Sequence, residues 1–69
     1  MSEKERYYRI INITWQFMKD HIEPDQDWSM FCADMKQLVF SQAEEDQKML
    51  RAMLVAFEDD LIDRSKNNG

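Results

Sequence analysis

The stretch Gln42–Arg64, QAEEDQKMLRAMLVAFEDDLIDR, decides the fold class. Leu50, Leu54, Phe57 and Leu61 recur at intervals of four, three and four, and at about 100° per residue they share one narrow sector of a helix. Ala43 and Met53 widen that face, which predicts a helix over about 42–64. Glu44, Glu45 and Asp46 stand in its first turn, where the helix dipole favours negative charge.

Working towards the N-terminus, Ser41 and Glu44 have the spacing of a capping box and follow Phe40, so a sharp corner is expected at Phe40 and Ser41, with one continuous helix as the alternative. Before it, Trp28, Phe31, Cys32, Met35, Leu38 and Val39 repeat at helical spacing, predicting a second helix over 27–39 capped by Asp25 or Asp27. Pro24 disfavours helical geometry at Glu23 and should stop the preceding helix near Ile22. Ser2 and Glu5 form another capping box, so a first helix over 3–22 is expected. Its longest apolar stripe is Tyr7, Ile11, Trp15, Met18 and Ile22, read as the core face, with Ile10 and Phe17 widening it. Arg6, Arg9, Asn12, Gln16, Lys19 and Asp20 are then expected in solvent, and Ser65–Gly69 as a frayed polar tail.

Three amphipathic helices with short connections cannot bury their faces singly, so the fold class is all-α, a small antiparallel three-helix bundle forming one domain over residues 1–69. Gly occurs once, at Gly69, and Pro once, at Pro24, whereas tight hairpins need Gly, Asn or Asp at positive φ. The 24 large apolar or aromatic residues after Met1 suffice for one compact core with a few left over.

Cys32 is the one cysteine, which excludes an internal disulfide and fits a reducing compartment. The longest apolar run, Ala52 to Phe57, is six residues, against the roughly 20 needed to cross a bilayer, and no apolar leader follows the first residues. A cytoplasmic protein away from membranes is expected.

Net charge is -5, concentrated between residues 23 and 47. Most of those acids stand at helix starts, so the dipole accounts for them without a ligand. A calcium loop fails: begun at Asp25 it places Met30 where Gly is required and Lys36 where a bidentate Glu is required. Nucleophilic chemistry would need Cys32 and His21, but Cys32 sits on an apolar stripe and His21 in a last helical turn, where a cation is favoured. A DNA-reading helix should open with basic or amide side chains, and the third helix opens with three acids.

The expectation is a non-enzymatic protein without cofactor or metal, binding a protein partner or its own copy and not nucleic acid. The alternative is an acidic decoy that mimics nucleic acid before a basic partner. Candidate partner-binding residues are those off the main stripes: Val55 and Ile62, seven apart on the third helix, with Met49 on its other flank and Ile13 on the first.

Overall fold

The computed structural model describes residues 2–67, which form three helices: α1 (Glu3–Asp20), α2 (Trp28–Phe40) and α3 (Glu44–Asn67). Arg6 and Arg9 meet Asp46, and Thr14 Oγ1 lies 3.9 Å from Met53 Sδ, so α1 and α3 run parallel. The rings of Phe17 and Phe31 are 5.2 Å apart and Cys32 faces Glu58, so α2 runs antiparallel to both. The result is an up-down-up bundle, as the helical spacing predicted.

Helix ends follow local hydrogen-bonding chemistry. Ser2 Oγ accepts from Glu5 N at 3.3 Å and starts α1. Asp27 caps α2, its Oδ1 accepting from Ser29 N at 2.9 Å and Met30 N at 3.3 Å. The corner before α3 is real, but Ser41 serves the helix before it: its backbone N–H donates to Gln37 and Leu38, and its hydroxyl donates to Leu38 O at 2.6 Å. Ser41 therefore closes α2, and the expected capping box with Glu44 is replaced by Asp46 N donating to Ala43 O.

The boundaries move by one to three residues: α2 shifts by one at each end and α3 begins at Glu44 rather than Gln42. α1 stops at Asp20, where His21 leaves helical geometry and its N–H turns back to Met18 O. α3 continues to Asn67, so residues 65–67 of the expected tail are helical and 68–69 lie outside the described residues. Arg64 and Lys66 in that last turn complement the dipole, and Arg64 Nε reaches Asp60 at 2.9 Å.

The core comprises Ile10 and Phe17 from α1, Phe31 and Val39 from α2, and Leu50, Leu54 and Leu61 from α3. Each such side chain contributes about 1.5–3 kcal/mol by leaving water. Met35, Leu38, Met53, Phe57 and Trp28 pack around this cluster. The main stripes of α2 and α3 thus face the core as their spacing predicted, with Phe31, Val39, Leu50, Leu54 and Leu61 buried and the rest half-buried, except Ala43, which precedes α3 and is exposed.

The face of α1 is a correction. Ile10, Thr14 and Phe17 are buried, while Tyr7, Ile11, Trp15 and Ile22 are exposed. The long apolar stripe faces out, and the shorter one, interrupted by Thr14, faces in. Thr14 is tolerated there because its hydroxyl donates to Ile10 O, 2.8 Å away. The helix is turned this way by its arginines, which were expected in solvent. Arg6 Nε and Arg9 Nη2 each bind an Asp46 oxygen at 2.5 Å, and Arg6 Nη2 also donates to Glu45 O at 2.9 Å.

Candidate interaction face

Asp46 is 1% exposed, and an ionised carboxylate so enclosed is tolerated only with full pairing. Arg6 and Arg9 supply that pairing from one turn of α1. The Arg6 hydrogen bond holds the Asp46 carboxyl below the usual carboxylate range, against the desolvation that would raise it, with Arg9 adding in the same direction. Arg6 is raised in turn by its bond to Asp46. Any rotation of α1 that buried Tyr7 and Ile11 instead would carry both guanidinium groups away from the buried charge.

This clamp sets what α1 presents. Tyr7, Tyr8, Ile11 and Trp15 are exposed on its outer side, Tyr8 at 72% and Trp15 at 52%, with Ile22 just past its end. At about 100° per residue these positions share an arc with Lys4, Met18 and Lys19, whereas Glu3, Glu5 and Asp20 fall outside it. Lys19 Nζ stands 5.9 Å from the Trp15 ring centroid, and Arg6 Cζ 5.5 Å from that of Tyr7. The face is aromatic, flanked by cations, and contains no carboxylate. Contiguous exposed apolar surface of this kind marks binding surfaces, whereas Met30, exposed singly on α2, needs no explanation.

The four candidate partner residues are scattered. Ile13 and Met49 pack against the core cluster, because a helix with two neighbours buries a broad arc. Ile13 also lines an open groove of about 550 Å³ between α1 and α2, whose Cα atoms nowhere come within 8 Å of each other. Val55, half-buried, lines a hollow of about 820 Å³ between α2 and α3 with Val39 and Phe40. Ile62 is half-buried further along α3 and does not line that hollow. These residues form no common surface with the outer face of α1, of which the sequence pattern assigns Tyr7, Ile11 and Trp15 to the core.

Cys32 and His21 are drawn apart chemically. Cys32 is half-buried rather than enclosed, and its thiol donates to Glu58 Oε2 at 3.5 Å. That bond, reinforced by burial and the nearby negative charge, pushes the thiol's pKa up, opposite to what a nucleophile needs. His21 stacks on Phe17 with centroids 3.9 Å apart, its Nδ1 2.9 Å from Phe17 O and its Nε2 3.0 Å from Asp34 Oδ2. Among the described residues no three His, Cys, Asp or Glu side chains are grouped to hold a metal ion, and no helix is long and apolar enough to cross a membrane. No protein-family model matches the chain, and comparison with curated proteins and with solved structures likewise found no match.

Proposed function

We propose that this chain is a non-enzymatic interaction protein that binds a protein surface through the outer face of α1. The exposed stripe of Tyr7, Tyr8, Ile11 and Trp15 carries the reading. A monomer that needed these residues only for folding would bury them, and the Asp46 clamp instead keeps them outward. Tyr and Trp suit this role because each offers a large contact area at small entropic cost. Val55 and Ile62, half-buried on α3, provide at most a lesser contact.

Against the acidic-decoy alternative stands the use made of the middle-segment acids. Asp46 is clamped, Asp27 caps α2 and Asp34 bonds to His21, so three of the carboxylates meant to imitate phosphates are engaged internally.

The test compares capture by the immobilised wild-type chain, by Trp15→Asp and by Ala56→Asp, at an exposed residue of α3 that lines the hollow between α2 and α3. A specific partner should be lost with Trp15→Asp, kept with Ala56→Asp and retained when salt is raised. Equal loss with both variants, or release by salt alone, would overturn this use of α1.

A further inference from the structure

We infer that the hollow between α2 and α3 binds a small amphiphilic anion, an alkyl carboxylate with a single chain of medium length. No residue of α1 lines this hollow, which is thus separate from the outer face of that helix.

The most enclosed part of the hollow measures about 280 Å³ and is lined by Met35, Lys36, Val39 and Phe40 from α2 and by Arg51 and Val55 from α3. The α2 residues follow i, i+1, i+4, i+5, one face over two turns, and the α3 pair is one turn apart. The chain has 14 acidic residues against 9 basic ones, yet no carboxylate lines this part. Apolar walls with two cations have the make-up of a small-molecule site, in which apolar surface binds and a few polar groups orient. The volume stands at the lower end for such sites, which run from about 300 to 1000 Å³, so it takes one short chain. A helix, about 10 Å across with its side chains, does not enter it.

Residue types that the fold satisfies elsewhere are left unsatisfied here. Of the four arginines, Arg6, Arg9 and Arg64 each bind an aspartate, whereas Arg51 has no carboxylate partner among the described residues, and neither has Lys36. Of the four phenylalanines, Phe17 and Phe31 are buried and Phe57 is half-buried, whereas Phe40 is 72% exposed. An anion with an apolar tail answers both, its carboxylate pairing with the cations and its tail covering the Phe40 ring.

The helices bring the two cations to one level. Cys32 faces Glu58 across the antiparallel pair, so seven residues further on Val39 comes about level with Arg51. Lys36 then stands about 4.5 Å from that level along the axis. Both side chains are long enough to converge on one carboxylate, which a guanidinium holds through two parallel N–H bonds. Lys48, one turn before Arg51, adds a third positive charge at the rim. The wider hollow of about 820 Å³ reaches Glu44 and Asp59, about 22 Å apart along α3. Those two carboxylates repel an anionic group at either end and leave the middle, between Lys36 and Arg51, as the place for it.

The test is an amide chemical-shift titration of the full, isotope-labelled chain near pH 7 with octanoate below its micelle concentration. Saturable shifts should centre on Lys36, Val39, Phe40, Arg51 and Val55. Octan-1-ol, the same chain without the charge, should bind about tenfold more weakly, and octyltrimethylammonium should not saturate. Lys36→Gln and Arg51→Gln, both at exposed positions, should remain helical and each weaken octanoate about fivefold or more while leaving octanol unchanged. Phe40→Ala should weaken octanoate and octanol alike. Equal affinity for octanoate and octanol, or no saturation by octanoate, would overturn the site. Shifts centred on Tyr8 and Trp15 would assign the amphiphile to α1 and overturn it equally. A wild-type chain that sediments as a dimer and becomes a monomer with Phe40→Ala would put a second copy in the hollow instead. If octanoate fails while a synthetic helical peptide with Leu and Glu at helical spacing binds in an Arg51-dependent way, the occupant is an acidic helix and the small anion is ruled out.

Discussion

Ile10 and Ile11 are neighbours in sequence and opposites in environment: Ile10 is 1% exposed and Ile11 54%. Deleting the Ile10 side chain removes buried methyl groups and leaves a cavity in the core cluster, whereas deleting that of Ile11 alters only the outer surface. In urea denaturation of dilute chain, Ile10→Ala should lower stability by about 2–5 kcal/mol. Ile11→Ala should stay within about 0.5 kcal/mol of wild type. The reverse order would mean that the longer stripe faces the core.

The Asp46 clamp should make the fold acid-sensitive in a definite window. The carboxyl has a lower pKa folded than unfolded, so its contribution is complete above the unfolded value of about 3.9 and is lost as pH falls through the depressed folded value. Asp46→Asn should lower the melting temperature by a nearly constant margin from pH 7 to about pH 5. The margin should then narrow as the wild type takes up its proton. A margin independent of pH down to pH 2 would show that the two arginines do not stabilise the ionised form.

Sequence patterns located the helices because their signals are local. Ser2 and Asp27 bond to amides two or three residues away, and the four-three spacing of Leu50, Leu54, Phe57 and Leu61 needs only one buried face. The orientation of α1 was not legible in the same way. Apolar residues occupy more than half its circumference, so two stripes compete, and the longer one lacks the inward-facing Thr14 and His21. What decides between them lies about 40 residues away, in Asp46. An Arg-x-x-Arg pair on one helix and an acid in the first turn of another is a signal that could have shown the clamp, but that acid is equally well explained by its own helix dipole.

Cys32 should be a slow nucleophile although it is partly accessible. The hydrogen bond to Glu58, with burial behind it, disfavours the thiolate. Alkylation near neutral pH should therefore run several-fold slower than for a free thiol and accelerate in Glu58→Gln, which removes the nearby negative charge. If the substitution leaves the rate unchanged, restricted access rather than Glu58 governs the thiol.

His21 closes the bundle at the end where α1 turns into α2, and its ring does more there than its polar bonds. One face stacks on Phe17 and the ring meets Phe31 edge-on, with centroids 5.6 Å apart, so the imidazole covers two core phenyl groups. The Asp34 carboxylate at Nε2 is half in solvent, and exposed polar pairs of this kind contribute about 0–1 kcal/mol. Removing the ring uncovers Phe17 and Phe31, whereas removing Asp34 lets water take its place at Nε2. His21→Ala should therefore destabilise the fold by about 1–3 kcal/mol and Asp34→Ala by less than about 1 kcal/mol. In a double-mutant cycle on urea midpoints the coupling between the two should be small against the His21 effect. If Asp34→Ala matches His21→Ala and the double variant is no worse than either, the hydrogen bond rather than the stacked ring holds that end of the bundle closed.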